Sequence, residues 1–395
     1  MNISIPDLAR YGFDSEYQAI YDMAFRYARE ELLALCERMD TEDWFPEDAF
    51  RAMADHGLLG TTVAAEFGGP ELDILAQCFI CEALSYWNHT VAASFLASDN
   101  LCLHNLTYNA NAAQKQAYFP RFTSGQAIGA LGMTEPGAGS DALGSMATTA
   151  RRDGDDFVLN GRKLFITNGP VADVLLVYAK TAPERGNKGI SAFIVEKTFE
   201  GFAVAQKLDK MGWRGSPTGE LVFDDCRVPA GNLVGAENHG AGIMMGGLDI
   251  ERTIGAFYCL GMTQRALDIT VEYANSRVQF GQRIGEFQMV QAILADMYTD
   301  VETIRAITYQ LGREILAIRP GESGRGEIHK RSAAAILHAG RASMRVLDNA
   351  VQLHGGMGFM RESEVNRLYR SGKVMEIGAG TNQVRQMIIA AELLR

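Results

Sequence analysis

The chain has 395 residues, 47% of them hydrophobic and 22% charged, with a formal net charge of −11. That size and balance describe an ordinary soluble chain of two or three domains, and the acidity argues against a nucleic-acid binder, which needs a basic face for phosphates. No uncharged apolar run reaches the ~18 residues of a membrane span, and the first residues lack the basic and apolar regions of a secretion signal, so a cytoplasmic setting is expected.

Residues 1–127 are predicted helical. From Tyr17 to Met39 apolar and charged residues alternate near a 3.6 period. Gly57, the Gly68-Gly69-Pro70 run and the stretch from Asn109 to Asn111 break further helical runs. Cys78 and Cys81 form a CxxC inside a helical pattern, but the six cysteines include no second pair. Two reduced core thiols are therefore expected, and no metal site. Residues 128–236 read as β. The run from Phe157 to Thr167 predicts two short strands around a turn at Asn160-Gly161. Val174–Ala179, Ile190–Val195 and Glu220–Phe223 add further strands. Residues 237–395 return to helix. Phe287, Val290, Ile293, Leu294, Met297, Val301, Ile304, Ile307, Leu311 and Ile315 recur at steps of almost always three or four, which predicts one long amphipathic helix. The expected architecture is α+β: helices, a β domain, then a helical bundle.

Glycine-rich loops are where chemistry is expected. The run Met133-Thr134-Glu135-Pro136-Gly137-Ala138-Gly139-Ser140-Asp141 follows a strand-like stretch. Its glycines let backbone N–H groups converge on an anion or a polar ring edge, and Thr134 and Ser140 add hydroxyls. It lacks the lysine of a P-loop and the following helix of a dinucleotide fingerprint. Phe165 and Thr167 lie two apart on a strand and so share a face, which suits stacking and hydrogen bonding to a planar heterocycle. Arg277 opens a turn, Arg277 to Arg283, that is expected to cap one helix before the long one and suits a pyrophosphate clamp. The glycines of 352–359 allow close backbone approach, and Thr381 or Asn382 is a plausible N-cap of the last helix.

Glu251 stands out for its surroundings. Between Gly240 and Leu260 an apolar stretch carries Asp249, Glu251 and Arg252 in its middle. A carboxylate there must be paired, neutral or functional, because desolvating an ion is expensive. Asp249 and Arg252 are three apart and can face each other on a helix, whereas Glu251 and Arg252 are adjacent and point apart. Spacing leaves Glu251 without a local partner; an ion pair with another element is the structural alternative.

The motifs Met133–Asp141, Leu159–Gly169, Arg277-x-x-Phe280-Gly281-x-x-Ile284-x-x-Phe287-Gln288 and His354-Gly355-Gly356-x-Gly358-Phe359, in this order, resemble the acyl-CoA dehydrogenases over essentially the whole chain. The resemblance implies an N-terminal helical domain, a middle β domain and a C-terminal four-helix bundle, assembled as a homotetramer with FAD at subunit contacts. It implies that Leu131, Met133, Thr134, Gly139 and Ser140 hold the flavin, with Phe165, Ile166 and Thr167 against its ring. Arg277, Phe280 and Gln288, together with Gln352, Gly355 and Gly356, would reach the FAD of a neighbouring subunit, and Thr381, Asn382 and Gln383 would complete that site. Ser140, Asp249 and Arg252 would follow the CoA arm, with Gly378, Ala379 and Gly380 at the acyl end.

The implied reaction is α,β-dehydrogenation of an acyl-CoA to a trans-2-enoyl-CoA, with electron transfer flavoprotein as acceptor. Most of the family carries the base just before the Gly-Thr of the last loop, where this chain has Ala379. The isovaleryl-CoA subgroup and a long-chain branch place it on the helix that begins the C-terminal domain, and the matching residue is Glu251. The runs 207–216, 247–252 and 375–381 are also similar to the isovaleryl-CoA subgroup, and small Gly378 and Ala379 leave room for a branch. Gly242, where that subgroup tends to have an aromatic, and a differing segment from Phe95 to Asn100 point instead to a longer branched chain of citronellyl type. A carrier-protein thioester, a flavin oxidase or monooxygenase, and a non-catalytic DNA-associated member are the other classes, the last disfavoured by acidity and by Glu251.

Overall fold

The computed structural model describes residues 5–317 and 324–395. Helices α1 (Ser15–Tyr27), α2 (Ile74–Phe95) and α3 (Ala112–Thr123) belong to the first layer. Helix α2 is buried along its whole length, as a helix apolar on every side must be. Asp73 caps it, its carboxylate accepting from the Ala76 N–H at 2.8 Å. Cys78 and Cys81 are free and buried in α2, and among the described residues no group of side chains could hold a metal. The helix runs on into a π-helical stretch, Leu96–His104, a geometry often found at functional sites.

The middle layer is an eight-stranded sheet. Its strands are β1 (Gly129–Gly132), β2 (Thr149–Asp153), β3 (Asp156–Thr167), β4 (Val174–Lys180), β5 (Ile190–Glu196), β6 (Phe202–Lys207), β7 (Thr218–Pro229) and β8 (Leu233–Val234). The order is β6-β7-β3-β2-β4-β5-β8, with β1 parallel to β4. Asn160-Gly161 is not a hairpin turn: β3 runs straight through it and pairs with β7 on both sides, with a register slip between Leu159 and Gly161. The reason is local. Gly161 takes φ +150° against Thr148, where an added Cβ would stand 2.5 Å from Oγ1, and Asn160 donates to Asp225 Oδ1 at 2.9 Å. The turn lies earlier, at Gly154 with φ +63° between β2 and β3.

The last layer holds α4 (Gly240–Ser276), α5 (Gln288–Ile315), α6 (Gly326–His354), α7 (Glu364–Gly372) and α8 (Asn382–Leu393). The amphipathic helix expected from Phe287 is α5, which buries Met297, Val301, Ile304, Leu311 and Ile315. Arg277 caps α4 as expected, its N–H donating to the Tyr273 carbonyl at 2.8 Å, and the segment it opens is more than a cap. It forms a small hairpin, β9 (Val278–Gln279) with β10 (Gln282–Arg283), because Phe280 and Gly281 adopt φ +53° and +82°. None of the described helices is long and apolar enough to cross a membrane.

Helix α4 joins the layers. Its first residue lies against β5, and further along it packs on α2, α5 and α6. Phe257 from α4 meets Phe79 from α2 edge-on at 5.4 Å and stacks with Tyr309 from α5 at 5.7 Å, so the first and last layers share one core. Gly261 sets the closest approach: an added Cβ would fall 2.2 Å from the Glu82 carbonyl oxygen and from Ser85 Oγ on α2. Gly261→Ala is expected to destabilise the protein by about 1–3 kcal/mol through overpacking, read as a lowered midpoint in urea unfolding.

Candidate functional site

The loop after β1 is tied down on one side and open on the other. Leu164 N–H donates to the Thr134 carbonyl at 2.8 Å, and Glu135 and Ala138 exchange backbone bonds at 3.1 Å in a tight turn. Lys163 Nζ donates to the Met133 carbonyl at 3.1 Å and to Glu135 Oε1 at 2.8 Å. On the open side, Cβ atoms added to Gly137 or Gly139 would meet nothing within 4 Å, and Ser140 is exposed. Phe165 stands beside this loop with φ +62° and 65% of its surface exposed. A bulky residue in the left-handed region is strained, and such strain gathers at ligand sites. It coincides with a second register slip between β3 and β7, from Lys163 to Ile166. Phe165 and Thr167 reach the open face as expected, while Ile166 is 3% exposed in the sheet core and has only backbone to offer a ligand. Loop amides, two hydroxyls and a bare aromatic ring fit the edge and face of an isoalloxazine.

Glu251 lies on α4 beyond the sheet. Asp249, two residues earlier, is 0% exposed and fully engaged. It accepts from Arg252 Nη1 at 3.0 Å, from the Gly324 N–H at 2.6 Å and from Ser332 Oγ at 3.3 Å, and it lies 2.6 Å from His329 Nδ1. The expected Asp249–Arg252 pairing is thus present, but both side chains are buried in protein contacts and neither lines the groove described below. Glu251 is half-buried and, among the described residues, makes neither a hydrogen bond nor an ion pair. Desolvation raises its pKa to about 7, against the opposing positive charges of Arg252 and Arg385. The Tyr178 hydroxyl of β4, buried and without a hydrogen-bond partner among the described residues, lies within the field of Glu251.

The last loop approaches from the other side. Ala379 takes φ +53° and Gly380 φ +88° before Thr381, whose hydroxyl caps α8 by accepting from the Val384 N–H at 3.3 Å. Arg385 on α8 is 0% exposed and staples this loop: Nη1 donates to the Met375 carbonyl at 2.7 Å, and Nη2 to that of Gly378 at 2.5 Å. Nη1 also reaches Asn382 Oδ1 at 3.1 Å, and Gln383 points to solvent. Sequence reasoning overlooked Arg385. Its signal was a cation one turn beyond the N-cap, amid Val384, Met387, Ile388 and Ile389.

A groove of about 890 Å³ runs along the N-terminal half of α4. Ile243, Gly246, Gly247 and Ile250 line it from α4, and His104 and Tyr108 from the first layer. Gly242 opens on it, with no atom within 4 Å of an added Cβ. Its rim carries Arg185, Lys188 and Arg325, none of which forms an ion pair with a described residue. Three cations without a described ion-pair partner, on a chain of net charge −11, give this rim a local positive charge that suits an anion.

The remaining candidates lie elsewhere. Arg277, Phe280, Gln288, Gln352, Gly355 and Gly356 are all exposed, and Tyr273 stacks on His354 at 4.3 Å to bring the turn after α6 to the end of α4. Arg277 is 26 residues beyond Glu251 along one helix, ~39 Å at 1.5 Å per residue. Large apolar side chains are bare around this patch, Phe280 at 95%, Met289 at 83% and Phe359 at 76% exposure.

Models of the acyl-CoA dehydrogenase N-terminal, middle and C-terminal domains match residues 14–126, 130–226 and 238–394. An isovaleryl-CoA dehydrogenase, mitochondrial, of Solanum tuberosum is 42% identical, covering 97% of this chain and 92% of the relative. A 2-methylacyl-CoA dehydrogenase, mitochondrial, of the same plant is 40% identical over 97% and 91%. Among solved structures, the butyryl-CoA dehydrogenase of Megasphaera elsdenii superposes with a TM-score of 0.91 at 34% identity, covering 100% of both chains.

Because the Arg385 charge opposes protonation of Glu251, Arg385→Met is expected to move the Glu251 midpoint upward, followed by ¹³C NMR of the labelled carboxyl. An unchanged midpoint removes Arg385 from the electrostatics of Glu251.

Proposed function

The chain belongs to the acyl-CoA dehydrogenase family, and on that premise we propose that Glu251 takes the α-proton of a branched acyl-CoA. Its members are FAD-dependent oxidoreductases that desaturate acyl-CoA thioesters, and FAD, when bound, supplies the acceptor for the β-hydride. One observation carries the assignment of the base. Glu251 is a carboxylate without a partner among the described residues, and Arg385, whose charge acts on it, also holds the loop in which Ala379 replaces the family's usual acid. A methyl group takes no proton; a carboxylate with pKa about 7 does so near neutral pH.

The remaining residues bind and orient. Arg185, Lys188 and Arg325 suit the phosphates of CoA at the groove rim, the neutral channel beyond suits its arm, and Ser140 stands at the edge of the flavin loop. Among the described residues the Ala379 N–H has no backbone acceptor, and its proposed role is to polarise the thioester carbonyl, which acidifies the α-proton. Gly378 and Ala379 leave room for a branch, in keeping with the isovaleryl- and 2-methylacyl-CoA relatives. The open space at Gly242 favours a second reading, a longer branched chain of citronellyl type. Electron transfer flavoprotein is the proposed acceptor, and slow reoxidation of the reduced enzyme in air separates this from an oxidase. Activity with a carrier-bound thioester alone redirects the substrate reading.

Assembly follows from the distance along α4. The Arg277 patch lies ~39 Å along α4 from Glu251, and a second copy of the chain is proposed to bring such a patch to each flavin, within a homotetramer. The exposed Phe280, Met289 and Phe359 are the apolar surface that such a contact covers.

Glu251→Gln is expected to retain FAD and lower anaerobic flavin bleaching by about 10²–10⁴-fold; near-wild-type bleaching removes Glu251 from the mechanism. In the wild type, bleaching by a panel of straight and branched acyl-CoAs should rise through about pH 7 as Glu251 loses its proton. Gly242→Phe is expected to lower kcat/KM for branched chains beyond five carbons far more than for short ones, and an equal loss for both rejects the longer-chain reading.

A further inference from the structure

We propose that Lys163 sets the electron affinity of the bound flavin by polarising the Met133–Thr134 peptide. Lys163 is a positioning residue in this role, acting through a peptide and not by contact, and the inference rests on the flavin placement proposed above.

The Lys163–Glu135 pair is 0% and 4% exposed, at 2.8 Å. Buried ion pairs return little net stability after desolvation, so their presence invites another role. Glu135 is immobilised: its oxygens accept from the Ala147 N–H at 2.6 Å and the Thr148 N–H at 3.0 Å. It therefore fixes Lys163 Nζ, whose second bond at 3.1 Å goes to the Met133 carbonyl. A trans peptide is planar, so that carbonyl and the next N–H point in opposite directions. With the Met133 C=O turned to Lys163, the Thr134 N–H points away from Lys163. The Thr134 carbonyl is taken by Leu164, and the Glu135 N–H and C=O are taken by Ala138. Among the described residues the Thr134 N–H alone of these groups has no partner. A backbone donor in a structured loop is ordinarily satisfied, and a flavin edge is the ligand proposed here.

A cation behind the carbonyl strengthens the N–H on the far side, because hydrogen bonds in series polarise one another at low dielectric. The ring becomes more electron-rich on reduction, so a stronger donor favours the reduced form over the oxidised form. Lys163 thus raises the potential without touching flavin or substrate.

The experiment measures FAD affinity of the apoprotein and the two-electron midpoint potential of the holoprotein by dithionite titration, for wild type, Lys163→Arg and Lys163→Met/Glu135→Met. The double variant leaves no unpaired buried charge. Its oxidised FAD affinity is expected to stay within about threefold, while reduced flavin is held about tenfold more weakly, which is a potential lower by about 30 mV. Lys163→Arg should stay near the wild-type potential. An unchanged potential in the double variant, or equal weakening of both flavin forms, overturns the proposal. If the double variant does not fold, Lys163→Met/Glu135→Gln decides: with the ammonium gone and no charge left unpaired, the potential should fall by the same amount, and no change overturns the proposal. Bleaching by an acyl-CoA is scored separately, so a shifted potential without bleaching rejects the reaction reading alone.

Discussion

The rotation of α4 about its own axis is fixed by Asp249. A buried carboxylate with three donors and His329 around it leaves that helix little freedom to turn. Glu251 lies two residues on and so stands ~200° around the helix, away from α6 and toward Tyr178 of the sheet. The two acids have the same charge and nearly the same address, and opposite surroundings. One is enclosed by hydrogen-bond donors; the other is stripped of water and left with distant charges.

The role proposed for Glu251 requires that contrast, one stretch of sequence serving as both scaffold and reagent. Removing a partner from Asp249 would expose an uncompensated buried charge. Glu251 carries its own desolvation with only Arg252 and Arg385 to offset it. Arg385 has to meet two demands at once, satisfying loop carbonyls and moderating a nearby acid, and burial lowers its own pKa to about 10. Backbone strain is present as well, since Phe165 and Ala379 both take positive φ.

Much of this was legible in the sequence because periodicity and spacing are local. The long α5, the Asp249–Arg252 pair and the isolation of Glu251 all follow from which residues are three, four or one apart. The errors arose where tertiary contacts overrode a local rule. Asn160-Gly161 has the composition of a hairpin turn, yet Thr148 and Asp225 press it into a bulge within one strand. The run from Arg277 to Arg283 ends α4 as expected, but two successive positive φ angles also fold it into a hairpin that spacing did not announce. Lys163 and Arg385 were overlooked for a different reason. The partners of Arg385 are largely backbone carbonyls, which leave no mark in a sequence, and Lys163 pairs with Glu135 from another segment, beyond the reach of local spacing. Strand parity with buried Leu159 was the one available hint for Lys163.

The span of α4 between Glu251 and Arg277 carries a genetic consequence. If each site draws on two copies, damage at these two positions falls on different halves of it. Two inactive alleles, one altered at each position, can then complement: random mixing of their subunits creates some sites in which both halves are sound. The converse also holds, since a chain with a normal Glu251 can be silenced by its neighbour. Heterozygous phenotype would depend on assembly geometry as much as on chemistry.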